Sequence, residues 1–183
     1  MNELKLQKRY AQSLFDLAKQ MDCLEKVHDD VLLITDACLE NRQLQVILKN
    51  PTIKPLLKRQ IIVALFGECC QELSVKFLSL IITKRREIHL LSICDCFLEI
   101  YRKEHNIKTV ELVLAQSIDE EFNQQIKKHL QTVLQSDIYL VTKINPKILG
   151  GFCLTIEGKQ YDASFLKKLS ILKKEFLVNL NNQ

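Results

Sequence analysis

Several residue types are scarce in this chain of 183 residues, and each scarcity excludes something. Tryptophan is absent, and only four glycines and three prolines occur. So few chain-breaking residues argue against long irregular stretches. No apolar run reaches the ~18–20 residues that a membrane-spanning helix needs. The first residues, Met1 to Lys5, contain no signal-peptide segment. We therefore expect a cytoplasmic protein that reaches a membrane only through its partners.

An excess of charge of one sign is also missing. The 26 basic and 22 acidic residues give a formal net charge of +4, and the two kinds are interleaved. A dedicated nucleic-acid-binding domain is usually more basic, with its charge clustered on one face. The chain is 47% hydrophobic and 26% charged, which excludes intrinsic disorder and permits a packed core. We expect a folded protein that does not bind nucleic acid.

Residue patterns that carry catalysis or bind cofactors are absent. The seven cysteines are typical of reduced thiols in a cytosolic core. The close pairs Cys69-Cys70 and Cys94-Cys96 lack zinc-site spacing. Leu149–Phe152 is rich in glycine but matches neither a phosphate-binding loop nor a dinucleotide site. We therefore predict no enzyme activity, no metal and no cofactor, and a chain that works by binding.

Apolar residues recur at helical spacing through the first ~105 residues. Six stripes are present, and they begin at Leu6, Leu24, Leu44, Leu57, Leu73 and Ile88. The third ends at Asn50, because the residue before a proline avoids the helical region. Pro55 suits the first turn of the fourth, which should end near Gly67. Six helices with short connections predict a compact bundle.

The period of the pattern changes at Ile107, where apolar and polar residues alternate as in a strand. Two further strands are predicted over residues 138–144 and 152–156, with one helix after the first strand and one after the third. The fold class is therefore mainly α. It consists of a six-helix bundle in residues 1–105 and a small α+β domain of β-α-β-β-α order in residues 106–183.

The two helices of the second domain have candidate start signals. Ser117 and Glu120 have the spacing of a capping box, in which each side chain accepts a hydrogen bond from the other's backbone N–H. Asp162 is the predicted cap of the last helix. The apolar stripe of that helix is formed by Phe165, Leu169, Leu172, Phe176 and Leu180.

Lys84-Arg85-Arg86 is the strongest positive run of the chain. One interpretation is a solvated helix C-terminus, where the helix dipole favours cations. The other is a docking contact with acidic residues of a protein partner. Both interpretations remain open at this point.

Four segments stand in the order and at the spacing of one known family. They are Arg9 to Ala18 (RYAQSLFDLA), Asn50-Pro51 with Lys58, Phe77 to Arg86, and Leu149 to Gly151 with Gly158 and Asp162 to Leu169. Across essentially its whole length the chain thus resembles the delta subunit family of rotary ATP synthases, called the oligomycin-sensitivity-conferring subunit in mitochondria. One departure is Arg85, at a position where the family often has glycine.

The resemblance implies a structural, non-catalytic role in the peripheral stalk, or stator. Family members join the catalytic alpha/beta head to the b-subunit stalk, so that proton flow through the membrane sector drives ATP synthesis. The implied location is the cytoplasmic face of the bacterial inner membrane, through the complex.

The resemblance also implies two binding surfaces. The N-terminal helix of an alpha subunit would lie in a groove between the first and fifth helices, formed by Tyr10, Leu14, Phe15, Ala18, Phe77, Leu80, Ile81 and Lys84. The alternative for the apolar members is ordinary core. The end of the b stalk would bind the second domain, where the Gly150-Gly151 turn and the last helix would shape the contact. A generic helical adaptor would have the same groove but another partner. A nucleic-acid binder would bind with a steep salt dependence.

Overall fold

The structure is a computed structural model that describes residues 3–116 and 119–181. It consists of two compact units, Met1–Tyr101 and Arg102–Gln183. The functional role expected for each part of the chain stays a prediction.

The described part of the first unit contains the six predicted helices. They are α1 (Glu3–Gln20), α2 (Leu24–Glu40), α3 (Arg42–Lys49), α4 (Pro55–Phe66), α5 (Glu72–Thr83) and α6 (Leu90–Glu104), with a 3₁₀ turn at Glu87–His89 before α6. Asn41 caps α3 by accepting from the backbone N–H groups of Gln43 and Leu44. The apolar stripes meet in one core, in which Phe97 and Leu14 are almost completely buried. The helical bundle is confirmed.

Helix α5 ends in a turn that usually contains glycine. The Arg85 N–H donates to the Ile82 carbonyl at 2.9 Å, and the Arg86 N–H donates to the Ile81 carbonyl at 2.9 Å. This pair of bonds is a Schellman motif, and it places Arg85 in the left-handed region with φ of 54°. Arg85 therefore adopts the conformation that glycine adopts without steric cost.

The first turn of α5 is capped by a side chain from another helix. Gln71, which precedes α5, makes no side-chain cap of its own. The carboxylate of Asp30 on α2 accepts from the Gln71 N–H at 2.8 Å and from the Ser74 hydroxyl at 2.5 Å. Desolvation by burial, with the nearby Asp30 carboxylate second, raises the pKa of the Cys70 thiol to about 12.

The second unit contains a four-stranded sheet. Its strands are β1 (Lys108–Leu114), β2 (Ile138–Ile144), β3 (Phe152–Ile156) and β4 (Lys159–Asp162), in the spatial order β2-β1-β3-β4. Strand β1 is parallel to β2 and antiparallel to β3. Helix α7 (Glu120–Leu134) connects β1 to β2, and α8 (Phe165–Asn181) follows β4. The mainly α class with a small α+β part is confirmed.

The buried side chains of β1 lie on one face of the sheet. Val110, Leu112 and Leu114 alternate along β1 and are buried. On the other face Lys143 forms an ion pair of 2.7 Å with Glu111 of the neighbouring strand. The bounds predicted for the second and third strands coincide with β2 and β3.

The fourth strand was not predicted. Strand β4 has the sequence KQYD, and its first three residues are exposed. It lies at an edge of the sheet, so it needs no apolar alternation. It forms a hairpin with β3 around Glu157 and Gly158, whose φ values are positive.

The predicted caps need correction. Ser164, not Asp162, caps α8, because its hydroxyl accepts from the Lys167 N–H at 3.2 Å. Asp162 instead accepts from the Ser164 N–H at 2.9 Å and so fixes the turn before the helix. Ser117 of the predicted capping box lies outside the described residues, and Asp119 precedes α7.

Candidate partner-binding groove

A groove of about 560 Å³ runs between α1 and α5. Its lining residues are Lys5, Leu6, Arg9, Tyr10, Ser13, Leu14, Leu17, Phe77, Leu80, Lys84 and Arg86. Those from α1 recur every three or four residues, which places them on one face of the helix. Two large apolar side chains of the lining, Leu17 and Leu80, are 46% and 45% exposed.

The structure divides the eight predicted groove residues into two groups. Five of them line the groove, namely Tyr10, Leu14, Phe77, Leu80 and Lys84. The other three, Phe15, Ala18 and Ile81, do not line it and are buried in the core, as are Leu14 and Phe77, which form the floor of the groove. Phe15 packs on Phe97 of α6, with ring centroids 6.0 Å apart. Each of the three directly follows a lining residue in the sequence, so its side chain points about 100° away from that residue around the helix axis.

The sequence-based prediction missed several lining residues. Leu6, Ser13 and Leu17 continue the stripe of Tyr10 and Leu14 along α1 and could have been found by extending it. The cationic members Lys5, Arg9 and Arg86 had no such signal, because periodicity does not show on which side of a stripe a long polar side chain lies.

The groove is bounded by helices that run in opposite directions. Gln7 Nε2, near the start of α1, lies 3.5 Å from Nδ1 of His89, which follows the end of α5. The start of α1 therefore lies beside the end of α5. Lys5 and Arg9 consequently share one end of the groove with Lys84 and Arg86.

The Gly150-Gly151 pair forms a tight turn against the start of α8. The Gly150 carbonyl accepts from the Phe165 N–H at 3.0 Å. A Cβ on Gly151 would lie 2.4 Å from the Ala163 carbonyl oxygen, and the φ of this glycine is +75°. The pair therefore determines how α8 begins, and the described part of α8 exposes Phe165, Leu166, Leu169, Ile171 and Leu172.

No group of three or more His, Cys, Asp or Glu residues in the described part of the chain could hold a metal ion. All seven cysteines are free thiols, and burial raises the pKa of the Cys94 thiol to about 12. Over residues 3–116 and 119–181, no helix is both long and apolar enough to cross a membrane.

Comparison with known proteins shows the family to which the chain belongs. The family model described as the ATP synthase delta (OSCP) subunit matches residues 6–176. The chain belongs to this family. It is 35% identical over 182 residues to the ATP synthase subunit delta of Cytophaga hutchinsonii, with each chain covered completely. It is 31% identical to that of Parabacteroides distasonis, over 93% of this chain and 95% of the relative.

A solved structure shares the fold of this delta-family chain. It is a chain of the Toxoplasma gondii mitochondrial ATP synthase hexamer, determined by cryo-electron microscopy, with a TM-score of 0.76 and 21% sequence identity. The match covers 94% of this chain and 97% of the other. Family membership connects the protein with ATP synthesis and ion transport, within a membrane-associated complex of several subunits.

Proposed function

We propose that the protein is a non-catalytic stator subunit of ATP synthase that joins the alpha/beta head to the b-subunit stalk. The first unit binds the N-terminal helix of an alpha subunit, and the second binds the end of the b stalk. The protein lies at the cytoplasmic face of the bacterial inner membrane and associates with it through the complex. The observation that carries the proposal is the open α1/α5 groove in a member of the delta family.

The groove has the features of a site for an amphipathic helix. Its floor is apolar, and the half-exposed side chains of Leu17 and Leu80 lose water contact when a helix covers them. Tyr10 is half-buried and can cover a partner's apolar face while its hydroxyl stays at the rim. This is the helix-in-groove mode of recognition, in which a partner contributes side chains spaced by three or four residues.

The second contact is assigned to α8 and the turn before it. Five large apolar side chains of α8 are about half exposed. Phe165, Leu169 and Leu172 lie on one face of α8, and exposed apolar side chains on one helix face are typical of protein contacts. The Gly150-Gly151 turn sets the direction in which α8 leaves the sheet, and through it the place of this surface.

Calorimetric titration of the full chain with a synthetic peptide tests the first contact. The peptide covers the first ~20 residues of the cognate alpha subunit, a length that forms the several helical turns of such ligands. We expect saturable one-to-one binding. Both Tyr10→Asp and Leu80→Asp should weaken it by about 2 kcal/mol or more, because each places an unpaired charge against the bound helix.

Leu33→Asp is the matched control. Leu33 lies on α2, is 42% exposed and is outside the groove lining, whereas Leu80 is 45% exposed. The control should bind the peptide like the wild type. An equal loss of peptide affinity in Leu80→Asp and Leu33→Asp would mean that the groove is not the site of the contact. A folded wild type that does not bind the peptide would leave a generic helical adaptor with another partner.

The b-stalk contact has its own test with a soluble C-terminal segment of the cognate b subunit. Leu169→Asp, on α8, should weaken binding, whereas Leu65→Asp, on α4, should not. The two leucines are 55% and 53% exposed, so the substitutions are matched in burial. Unchanged binding by Leu169→Asp would remove α8 from the stalk contact.

A further inference from the structure

The two ends of the α1/α5 groove differ in charge. Because α1 and α5 are antiparallel, the four lining cations Lys5, Arg9, Lys84 and Arg86 gather where α1 begins and α5 ends. The opposite end, near Leu17, contributes apolar side chains. None of the described residues that line the groove is acidic. The groove therefore has a basic end and an apolar end.

The helix dipole explains only half of this charge. Lys84 and Arg86 follow the C-terminus of α5, where cations offset the negative end of the dipole. Lys5 and Arg9 lie in the first two turns of α1, where the same effect favours anions. Their presence on the groove face is thus not accounted for by the stability of α1.

The acidic residue next to Arg86 in the sequence is turned away from the surface. Glu87 directly follows Arg86, and its carboxylate accepts from Lys58 Nζ at 2.6 Å. The side chains of Lys58 and Glu87 are 1% and 11% exposed. Lys58 also donates to the Leu48 carbonyl at 2.7 Å. The buried pair neutralises Glu87, so the segment after α5 presents positive charge to the groove.

We propose that the groove binds its partner helix in one direction, with acidic side chains of that helix over the basic end. This inference rests on the proposed function and adds the polarity of the bound helix and the chemistry of one of its ends. The apolar floor supplies most of the affinity, because desolvated central contacts dominate binding. The rim charges set direction and accelerate association, since complementary charge acts mainly on orientation and on-rate.

The first test measures association and dissociation rates of the cognate alpha peptide at about 0.05 to about 0.5 M NaCl. For Arg86→Glu we expect association about tenfold slower at low salt, a difference that shrinks at high salt, and a dissociation rate that changes little. Arg59→Glu is the control, because Arg59 is also exposed but lies on α4 outside the groove lining. It should associate like the wild type.

A second test determines the direction of the bound helix. A paramagnetic label is attached to one end of the peptide and then to the other, and the broadening of backbone amide signals is recorded. The label at the acidic end should broaden residues 5–9 and 84–86, and the other label residues 14–17. A peptide with its acidic residues replaced by glutamine should associate more slowly and lose most of its salt dependence.

The outcomes separate this inference from the proposed function. Binding with salt-independent association that Arg86→Glu leaves unchanged would overturn the polarity and leave the alpha contact standing. Broadening of residues 14–17 by the label at the acidic end would also overturn the proposed direction and leave the alpha contact standing. Absence of binding by the wild-type protein would instead remove the alpha contact itself.

Discussion

The buried pair of Lys58 and Glu87 allows a direct test of how burial changes the value of an ion pair. The distance from Lys58 Nζ to Glu87 Oε1 is 2.6 Å, and so is the distance from Lys76 Nζ to Glu72 Oε1. The second pair lies on the surface of α5, with side chains 71% and 82% exposed. Lys58→Met therefore removes a buried ion pair, and Lys76→Met removes an exposed ion pair of the same length.

Lys58→Met should destabilise the first unit strongly. It leaves the Glu87 carboxylate buried without its cation and removes the donor to the Leu48 carbonyl. Breaking a buried pair in this way costs about 3–5 kcal/mol. With a urea dependence of about 2 kcal/mol/M, a loss of 3 kcal/mol lowers the urea midpoint by roughly 1.5 M. Lys76→Met should leave the midpoint close to that of the wild type, because water screens an exposed pair.

The double variant Lys58→Met/Glu87→Leu identifies the cause of the loss. Because it buries no unpaired charge, it should recover the part of the lost stability that the carboxylate causes and leave a cost of about 1–3 kcal/mol for the unpaired Leu48 carbonyl. The measurement is urea unfolding followed by far-ultraviolet circular dichroism, with reductant present because all seven cysteines are free.

Two results would refute this reasoning. Equal midpoints for Lys58→Met and Lys76→Met would mean that burial does not determine the value of the pair. A double variant no more stable than Lys58→Met would mean that the lost packing or the Leu48 carbonyl, rather than the unpaired carboxylate, causes the destabilisation.

Three further predictions concern the backbone and the thiols. Gly151→Ala should lower the free energy of unfolding of the second unit by about 2–3 kcal/mol, measured as a lower thermal midpoint, because its Cβ meets the Ala163 carbonyl at a positive φ. The Cβ of Gly158→Ala meets nothing within 4 Å, so this substitution should cost only about 1 kcal/mol. Arg85→Gly should raise the free energy of unfolding of the first unit by roughly 0.5–1 kcal/mol, measured as a higher urea midpoint, since glycine adopts the left-handed turn without strain; an unchanged midpoint would contradict this. Burial raises the pKa of Cys94 from 9.0 to about 12, so the unfolded chain loses this proton first. Above pH 9 this thiol should therefore lower the free energy of unfolding by up to about 1.4 kcal/mol per pH unit, in addition to the contribution of Cys70, and Cys94→Ala should reduce the total fall.

The elements that the sequence predicted well are those with a strong local signal. The six helices of the first unit each bury a continuous stripe, and strands β2 and β3 alternate or are bounded by turn residues. Strand β4 has neither feature, because an exposed edge strand is held by backbone bonds to β3 rather than by buried side chains. The Asp30 cap was also invisible, since its partners lie 41 and 44 residues away in the chain.

The groove illustrates a second limit. Leu14 and Phe15 are adjacent apolar residues of α1, yet one lines the groove and the other packs on Phe97. Both are buried, and periodicity identifies both as inward-facing. Only the packing of α5 and α6 decides which of the two also borders the groove. The proposed partner was inferred from family resemblance and from no feature of the periodic pattern.

The Asp30 cap also has a consequence for motion and folding. An ordinary helix end frays by itself, because its first amides are released by a local movement. The Gln71 amide is held by the Asp30 side chain of α2, so we expect exchange at this position to report separation of α2 from α5 as well as fraying of α5 itself. One wall of the groove thus shares its opening equilibrium with a helix that does not line it. The contact also joins residues 41 and 44 positions apart in the chain, so this cap of α5 can form only once α2 has docked.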